Sequence, residues 1–378
     1  MTGFTEKIAI MGLMMLGFVV GCSEMEFSAD KNFKACHSSG LNCVLISPGV
    51  ERFDYDVKTN SGIVDILIVD DNSGSMSTEQ RHMAERFPTF ISSLGDLDYH
   101  IAITTTDVSA SPNNGPKAAN GFGALQDGKF IQFGNGSAVL TRDTPNKETL
   151  FANTVKRPET ISCEQNDFQS AYCPSPDERG IYAAYLAVER KDASFFRQGA
   201  HFALVILADE DERSTRNNQT VVSQYPTEEK DIPDNLVKAV KQHLGGQKTF
   251  SAHSVIVKPG DTACLNAQAT TFPSGRRVTG FEGIFYARLS TLTGGHIGSI
   301  CATDYGTELG KIGYNIKDHL NSVQLVCSPI DKKVDVLLTP KPPGVSTTFD
   351  ASTNTVKFSQ PIPPNTNIHL TYDCIKAI

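Results

Sequence analysis

The run Ile66-Leu67-Ile68-Val69-Asp70-Asp71-Asn72-Ser73-Gly74-Ser75-Met76 constrains this chain more than any other stretch. It is an unbroken apolar strand that ends on an aspartate and two serines spaced Asp-x-Ser-x-Ser. Strands this continuously apolar are buried on both faces, as in a parallel sheet covered by helices. At the carboxyl end of such a strand, a carboxylate and two hydroxyls on one tight loop offer hard oxygen ligands to a small divalent cation. Gly74 is expected to let the loop turn sharply, so that the hydroxyls of Ser73 and Ser75 point the same way. A capped strand-to-helix turn, with Ser75 or Ser77 as the helix N-cap, accounts for the same serines.

From about 62 to 320, strand and helix signals alternate, which predicts an α/β fold: a doubly wound, mostly parallel sheet flanked by helices. Strands are expected over 63–70, 99–106, 202–208, 250–257 and 296–301, and helices over 78–94, 178–190, 233–244, 282–292 and 307–320. The glycine-rich stretch from Gly121 to Leu140 reads as an edge hairpin. From Ser322 onward the chain changes character. Short β-type runs (323–326, 334–338, 355–358, 367–372) are split by Pro-Pro and Asn-rich turns, which predicts a small all-β appendage.

In open α/β sheets, ligands bind beyond the carboxyl ends of the strands, near the switch in strand order. Three segments bring oxygen ligands to that edge: Asp71, Ser73 and Ser75; Glu178, just before its helix; and Asp209, which opens the acidic run Asp209-Glu210-Asp211-Glu212. Residues 62 to 320 resemble the von Willebrand factor A-type (vWA) family, whose metal-ion-dependent adhesion site carries the Asp-x-Ser-x-Ser pattern. The resemblance implies a metal set in this chain order, with a threonine in the middle segment and an aspartate in the third. It therefore assigns Asp71, Ser73, Ser75 and Asp209 to magnesium, calcium or manganese, and implies a protein ligand that offers a carboxylate. The middle segment departs from the family pattern, because Glu178 stands where a threonine is expected. A glutamate there would bind the cation itself and offset its charge. Glu178 reads equally well as an acid favouring a helix N-terminus. Asp70 and Asp107 also lie near the predicted edge, Asp107 as an outer partner of the ligands. Asp211 and Glu212 read as solvated or helix-starting acids. The segments 104–107 and 208–211 resemble members of this class from predatory and gliding bacteria.

Residues 8 to 20 are almost wholly apolar and end at Gly21-Cys22. Thirteen such residues are too few to cross a bilayer but suit the core of a signal peptide. Val19-Val20-Gly21-Cys22 resembles a bacterial lipobox, which implies lipidation of Cys22 and a membrane anchor through its acyl chains. With Ser23 rather than Asp next to it, the expected address is the outer membrane, facing the periplasm or the surface. An ordinary secretory signal with an incidental cysteine is the alternative. Of nine cysteines, setting aside Cys22 leaves eight, an even number suited to an oxidising compartment. Sequence proximity suggests Cys36–Cys43, Cys163–Cys173, Cys264–Cys301 and Cys327–Cys374, among on the order of 100 possible pairings. No C-x-x-C pair or close Cys/His cluster points to zinc.

A net charge of −8 argues against nucleic acid or an anionic membrane surface as partner. No G-x-S-x-G elbow, H-E-x-x-H or P-loop occurs, so no enzyme is expected. The chain divides into a signal peptide (1–21), a tether (22–61), the vWA-like domain (62–321) and the β appendage (322–378). The expected function is cation-dependent protein binding, in adhesion or in assembly of an envelope complex. A metal-dependent hydrolase on the same scaffold and a structural scaffold with a vestigial site are the alternatives.

Overall fold

The computed structural model describes residues 42–58, 62–108, 125–169, 171–175, 177–214, 221–222, 225–245, 248–271, 275, 277–278, 280–352, 354–360, 362–363 and 366–375. The signal peptide, Cys22 and Cys36 lie outside the described residues. The chain runs through β1 (Cys43–Ser47), β2 (Val50–Lys58), β3 (Ile63–Asp70), α1 (Ser77–Leu94), β4 (Asp98–Thr105) and β5 (Leu140–Thr141). Then come α2 (Lys147–Val155), α3 (Pro158–Gln165), α4 (Gly180–Arg190), β6 (His201–Leu207) and a ribbon of β7 (Val221–Val222) and β8 (Tyr225–Pro226). Next are α5 (Pro233–Leu244), β9 (Phe250–Ile256), α6 (Thr262–Ala267), the pair β10 (Thr270–Thr271) and β11 (Arg277–Val278), α7 (Ile284–Leu292), β12 (Ile297–Ser299) and α8 (Tyr305–Leu320). The last five strands are β13 (Ser322–Gln324), β14 (Asp335–Thr339), β15 (Thr347–Asp350), β16 (Thr355–Phe358) and β17 (Asn367–Ile375).

The central sheet has the order β12-β9-β6-β3-β4-β5. All its pairings are parallel except β5 on the edge. From β3 the chain goes first to β4 on one side and later to β6 on the other, so the strand order switches at β3. Alternation along β3 explains its unbroken apolar sequence. Val64, Ile66 and Ile68 join the core under α1 and α8, and Leu67 and Val69 join the core under α4, α5 and α7. Helix α1 buries Met83, Phe87, Phe90 and Leu94 at helical spacing. Each such side chain contributes about 1.5–3 kcal/mol by leaving water. Phe87 stacks on Phe151 of α2 with ring centroids 3.6 Å apart. Helix α8 approaches α1 closely because position 313 is glycine; a Cβ there would run into Ser93.

A second module is built from strands at both ends of the described chain. Its two sheets, β1-β2-β17-β14 and β13-β16-β15, close on a core of Phe53, Tyr55, Val323, Val356, Leu370 and Tyr372, among others. Strand β17 shows the alternation that does this: Ile368, Leu370, Tyr372 and Cys374 point inward, and the residues between them do not. Phe53 and Tyr372 stack with centroids 5.3 Å apart.

Several expectations need correction. The span 22–61, read as a tether, contains β1 and β2, and β2 pairs with β17 along nine registers. The β appendage is therefore built from both sides of the α/β domain, because Phe53, Tyr55 and Val57 need a core that only the later strands supply. The stretch from Gly121 to Leu140 is no hairpin among its described residues; only Leu140 joins a strand there. Helices α2, α3 and α6 were not expected. The bridges Cys163–Cys173, Cys264–Cys301 and Cys327–Cys374 form as proximity suggested, and Cys43 is also disulfide-bonded. Among the described residues, no helix is long and apolar enough to cross a membrane.

Candidate metal site

Three loops meet at the carboxyl edge of the sheet, beyond β3, β4 and β6. The backbone sets their spacing: Asp71 N donates to Leu207 O at 2.9 Å, Thr106 N to Asp70 O at 3.3 Å, and Arg179 N to Thr106 O at 3.1 Å. In the first loop, Ser73 N donates to Asp71 Oδ1 at 2.8 Å, and the chain turns through a single tight turn, Gly74–Met76, into α1. Neither that turn nor α1 has a side-chain cap. The capping alternative thus fails. Ser73 Oγ and Ser75 Oγ instead face each other at 3.1 Å, while Ser77 Oγ donates to Glu164 Oε2 at 2.6 Å.

The carboxylates around these hydroxyls are buried and under-satisfied. Asp71 Oδ1 accepts from Ser73 N and, at 3.5 Å, from Thr106 Oγ1, but its Oδ2 is buried with no hydrogen-bond partner. Neither oxygen of Asp209 has one, although the Ser75 hydroxyl lies close enough to favour its charge. Burial, then the charge of Asp71, push the Asp209 carboxyl well above the usual range. Burial pushes Asp71 up to about 6. Uncompensated carboxylates of this kind cost several kcal/mol each. Among the described residues no three His, Cys, Asp or Glu side chains converge on one metal position. A cation here therefore depends on hydroxyls as well as carboxylates. An all-oxygen donor set fits magnesium, manganese or calcium and does not suit zinc.

An outer layer holds the first loop, and most of it was invisible in the sequence. Asn72 Nδ2 donates to Asp107 Oδ2 at 2.7 Å and to Glu159 Oε1 at 3.3 Å. Thr160 Oγ1 donates to Asn72 O, and Gln80 Nε2 donates to Asp71 O. Asp107 thus holds the loop through Asn72, with burial pushing its carboxyl up to about 7. Asp70 faces the α1 side of the sheet with both oxygens buried and unpartnered, and burial pushes it well up. Asn72 and Thr106 sit next to residues the motif already marks, and that adjacency was their only signal. Glu159 and Thr160 carried none. Gly74 has a role other than the expected one. Its φ is not in the left-handed region, but a Cβ there would strike Cys163 Sγ and the Phe168 ring.

Glu178 lies 2% exposed in a segment pinned on both sides. Asp177 takes two hydrogen bonds from the Arg213 guanidinium, at 3.0 and 2.8 Å. Arg179 donates from Nε and Nη2 to Asp231 at 2.8–2.9 Å. Between them, Glu178 O accepts from Arg213 N. The start of α4 is occupied by another acid: Glu212 accepts from Ile181 N at 2.7 Å and Tyr182 N at 3.0 Å. Asp211 likewise accepts from Phe285 N at the start of α7. Asp211 and Glu212 are therefore helix-starting acids, as expected, but they serve distant helices and are buried rather than solvated. Burial, then the charge of Asp231, push the Glu212 carboxyl well above the usual range.

No family model matches the sequence, and no curated protein matches it. Among solved structures, the pilus adhesin SpaC from Lactobacillus rhamnosus GG is similar at 9% identity and a TM-score of 0.37, covering 88% of this chain and 42% of that one. An aerotolerance-related membrane protein from Bacteroides fragilis is similar at 9% identity and TM-score 0.35, over 67% of this chain and 98% of that one. The ArnB paralog VWA2 from Sulfolobus acidocaldarius is similar at 8% identity and TM-score 0.29, over 86% and 60%. This chain thus spans about two-fifths of the length of the SpaC structure, at 42%. At these TM-scores the likenesses carry no argument. The mostly parallel sheet flanked by helices is read from the strand order itself, and the functional reading rests on the residues themselves.

Proposed function

We propose that this chain is a protein-binding lipoprotein of the bacterial envelope whose grip depends on a divalent cation. One observation carries the reading: Asp71 and Asp209 bury unpartnered carboxylate oxygens beside the facing hydroxyls of Ser73 and Ser75. Asp71, Ser73, Ser75 and Asp209 would hold magnesium, or calcium or manganese in its place; Glu178 does not converge with both aspartates here and would join them as a ligand only by a side-chain movement on binding. When bound, the cation supplies a Lewis-acidic position for a carboxylate of a partner protein. Asn72, Gln80 and Thr160 keep the loop in shape for it. Calorimetric titration of the mature protein with each cation tests this. Saturable binding that Asp71→Ala removes is the expected result, and a wild-type protein that binds none of the three overturns the reading.

Glu178 decides how electrophilic that cation would be. Glu178→Thr is expected to weaken magnesium binding by about 1–3 kcal/mol, the range for losing a charged buried partner. The same change is expected to strengthen binding of an acidic peptide to the magnesium-loaded protein. If magnesium affinity stays put while Asp71→Ala abolishes it, Glu178 is not a ligand. The hydrolase alternative predicts turnover of ester, phosphoester or peptide substrates that Asp71→Ala abolishes; none is expected.

The anchor rests on residues 8–22. Cys22→Ala is expected to abolish acylation and release the protein from the membrane fraction with its fold unchanged. Mass spectrometry of the wild-type mature N-terminus checks it, and a lipid-free N-terminus would refute the anchor.

A further inference from the structure

We propose that the Cys163–Cys173 disulfide is a redox-sensitive clamp on the metal loop, so that the oxidation state of this one bridge sets cation affinity. The inference rests on the cation-site reading above and adds its control. Three observations carry it. The bridge sulfur and the Phe168 ring fill the space beside Gly74, in the middle of Asp-x-Ser-x-Ser, where no Cβ fits. Helix α3, which carries Cys163, grips the same loop through Thr160 to Asn72 O, Glu159 to Asn72 Nδ2 and Glu164 to Ser77 Oγ. The bridge closes a loop of sequence separation 10 in which Asp167 and Phe168 both hold left-handed backbone, with φ of 52° and 57°. Aspartate tolerates that conformation but a bulky phenylalanine does not, so an opened loop relaxes at Phe168 and takes its ring off Gly74.

The other two described bridges do not do this. Cys264–Cys301 lies in the core shared by Met76 and reaches Glu79 through Gln268, without filling the space beside Gly74, and Cys327–Cys374 belongs to the β module. Cys163 is buried and Cys173 is only half-buried. A dithiol reductant therefore attacks the Cys173 sulfur through its thiolate and expels Cys163 as a thiolate, which takes up a proton. The second thiol of the reductant then resolves the mixed disulfide. It leaves Cys173 as a thiol and the reductant as a cyclic disulfide, two electrons having passed to the protein. The loop hydroxyls and Asp71 lose their fixed spacing, and affinity falls.

The test compares the full mature wild type with Cys163→Ser/Cys173→Ser and, as control, Cys327→Ser/Cys374→Ser. Magnesium affinity is read by calorimetry and amide hydrogen exchange is read over residues 71–76. Expected is a loss of roughly 10-fold or more in the first pair, the scale of losing an outer partner of a metal ligand, with faster exchange over the loop and no change in the control. Gly74→Ala, which keeps the bridge but pushes it off the loop, is expected to lower affinity likewise and serves if the double variant does not fold. Affinity within about 2-fold of wild type, well inside that outer-partner scale, overturns the clamp. If the wild type itself binds no magnesium, the cation reading fails, and exchange alone judges the clamp: an unchanged rate over 71–76 on opening the bridge overturns it.

Discussion

Asp209→Asn is expected to abolish divalent-cation binding and, in the same measurement series, to raise the melting temperature of the cation-free protein. The two effects have one cause. Asp209 is fully buried, neither oxygen has a hydrogen-bond partner, and the Asp71 charge faces it. With a cation, that charge is a ligand; without one, it is only a penalty. An amide of the same shape removes the charge and keeps the packing. Loss of a ligand in contact with the metal should exceed the roughly 10–100-fold typical of an outer partner. The gain in cation-free stability should appear as about 2–4 °C per kcal/mol for a domain of this size. The pH dependence follows the same sign. Asp71 and Asp209 have folded pKa values raised above the unfolded value, so they bind protons better in the fold. Their contribution is complete below the unfolded pKa and is lost as pH rises through about 6 for Asp71. Saturating magnesium should flatten that loss. A destabilised Asp209→Asn protein, measured by scanning calorimetry in chelator, would count against a site built for a cation.

The second large effect is expected at Arg213, away from any ligand atom. Its side chain is fully buried, with two bonds to Asp177 and a longer one of 3.4 Å to Glu228. Arg213→Met leaves Asp177 buried without its cation, which costs about 3–5 kcal/mol. At roughly 2–4 °C per kcal/mol, the melting temperature should drop by about 10 °C. The partner change restores balance: adding Asp177→Leu should recover a good part of the loss, because two apolar side chains replace a buried ion pair at little net cost. If the single variant melts within about 2 °C of wild type, the shift of less than one kcal/mol would mean that this pair is not what pins the Glu178 segment.

What could be read from the chain, and what could not, divides by distance. The parallel strands were legible because each is an apolar run whose burial is dictated by its own residues. Asp71, Ser73 and Ser75 were legible because five residues hold the whole motif. Asp211 and Glu212 were legible only as acids that start helices. Which helices they start depends on Phe285, Ile181 and Tyr182, brought close by packing. Gly74 was read as a turn residue because glycine has that use everywhere. Its actual constraint comes from a disulfide about ninety residues downstream, in space rather than in sequence. The strands β1 and β2 were missed for the same reason: their alternation is short, and the partner that seats β2 lies at the far end of the described chain.

That last pairing sets an order of events in synthesis. Arg52 on β2 and Asp373 on β17 are joined by two hydrogen bonds across 321 residues of sequence. Chains fold by domains as they emerge, the earlier part first. Strand β2 must therefore wait, with an open edge, while the whole α/β domain is made and folds behind it. Bringing its partner back costs little more entropy than a shorter loop would, because that cost grows only with the logarithm of length. It does cost time. Until Tyr372 arrives, neither its stack with Phe53 nor its hydroxyl contact with Tyr55 can form. A chain cut before residue 367 would carry every residue of the metal edge and still present an exposed strand to proteases. The ribosome makes the candidate metal edge early, and the last strand completes the β module.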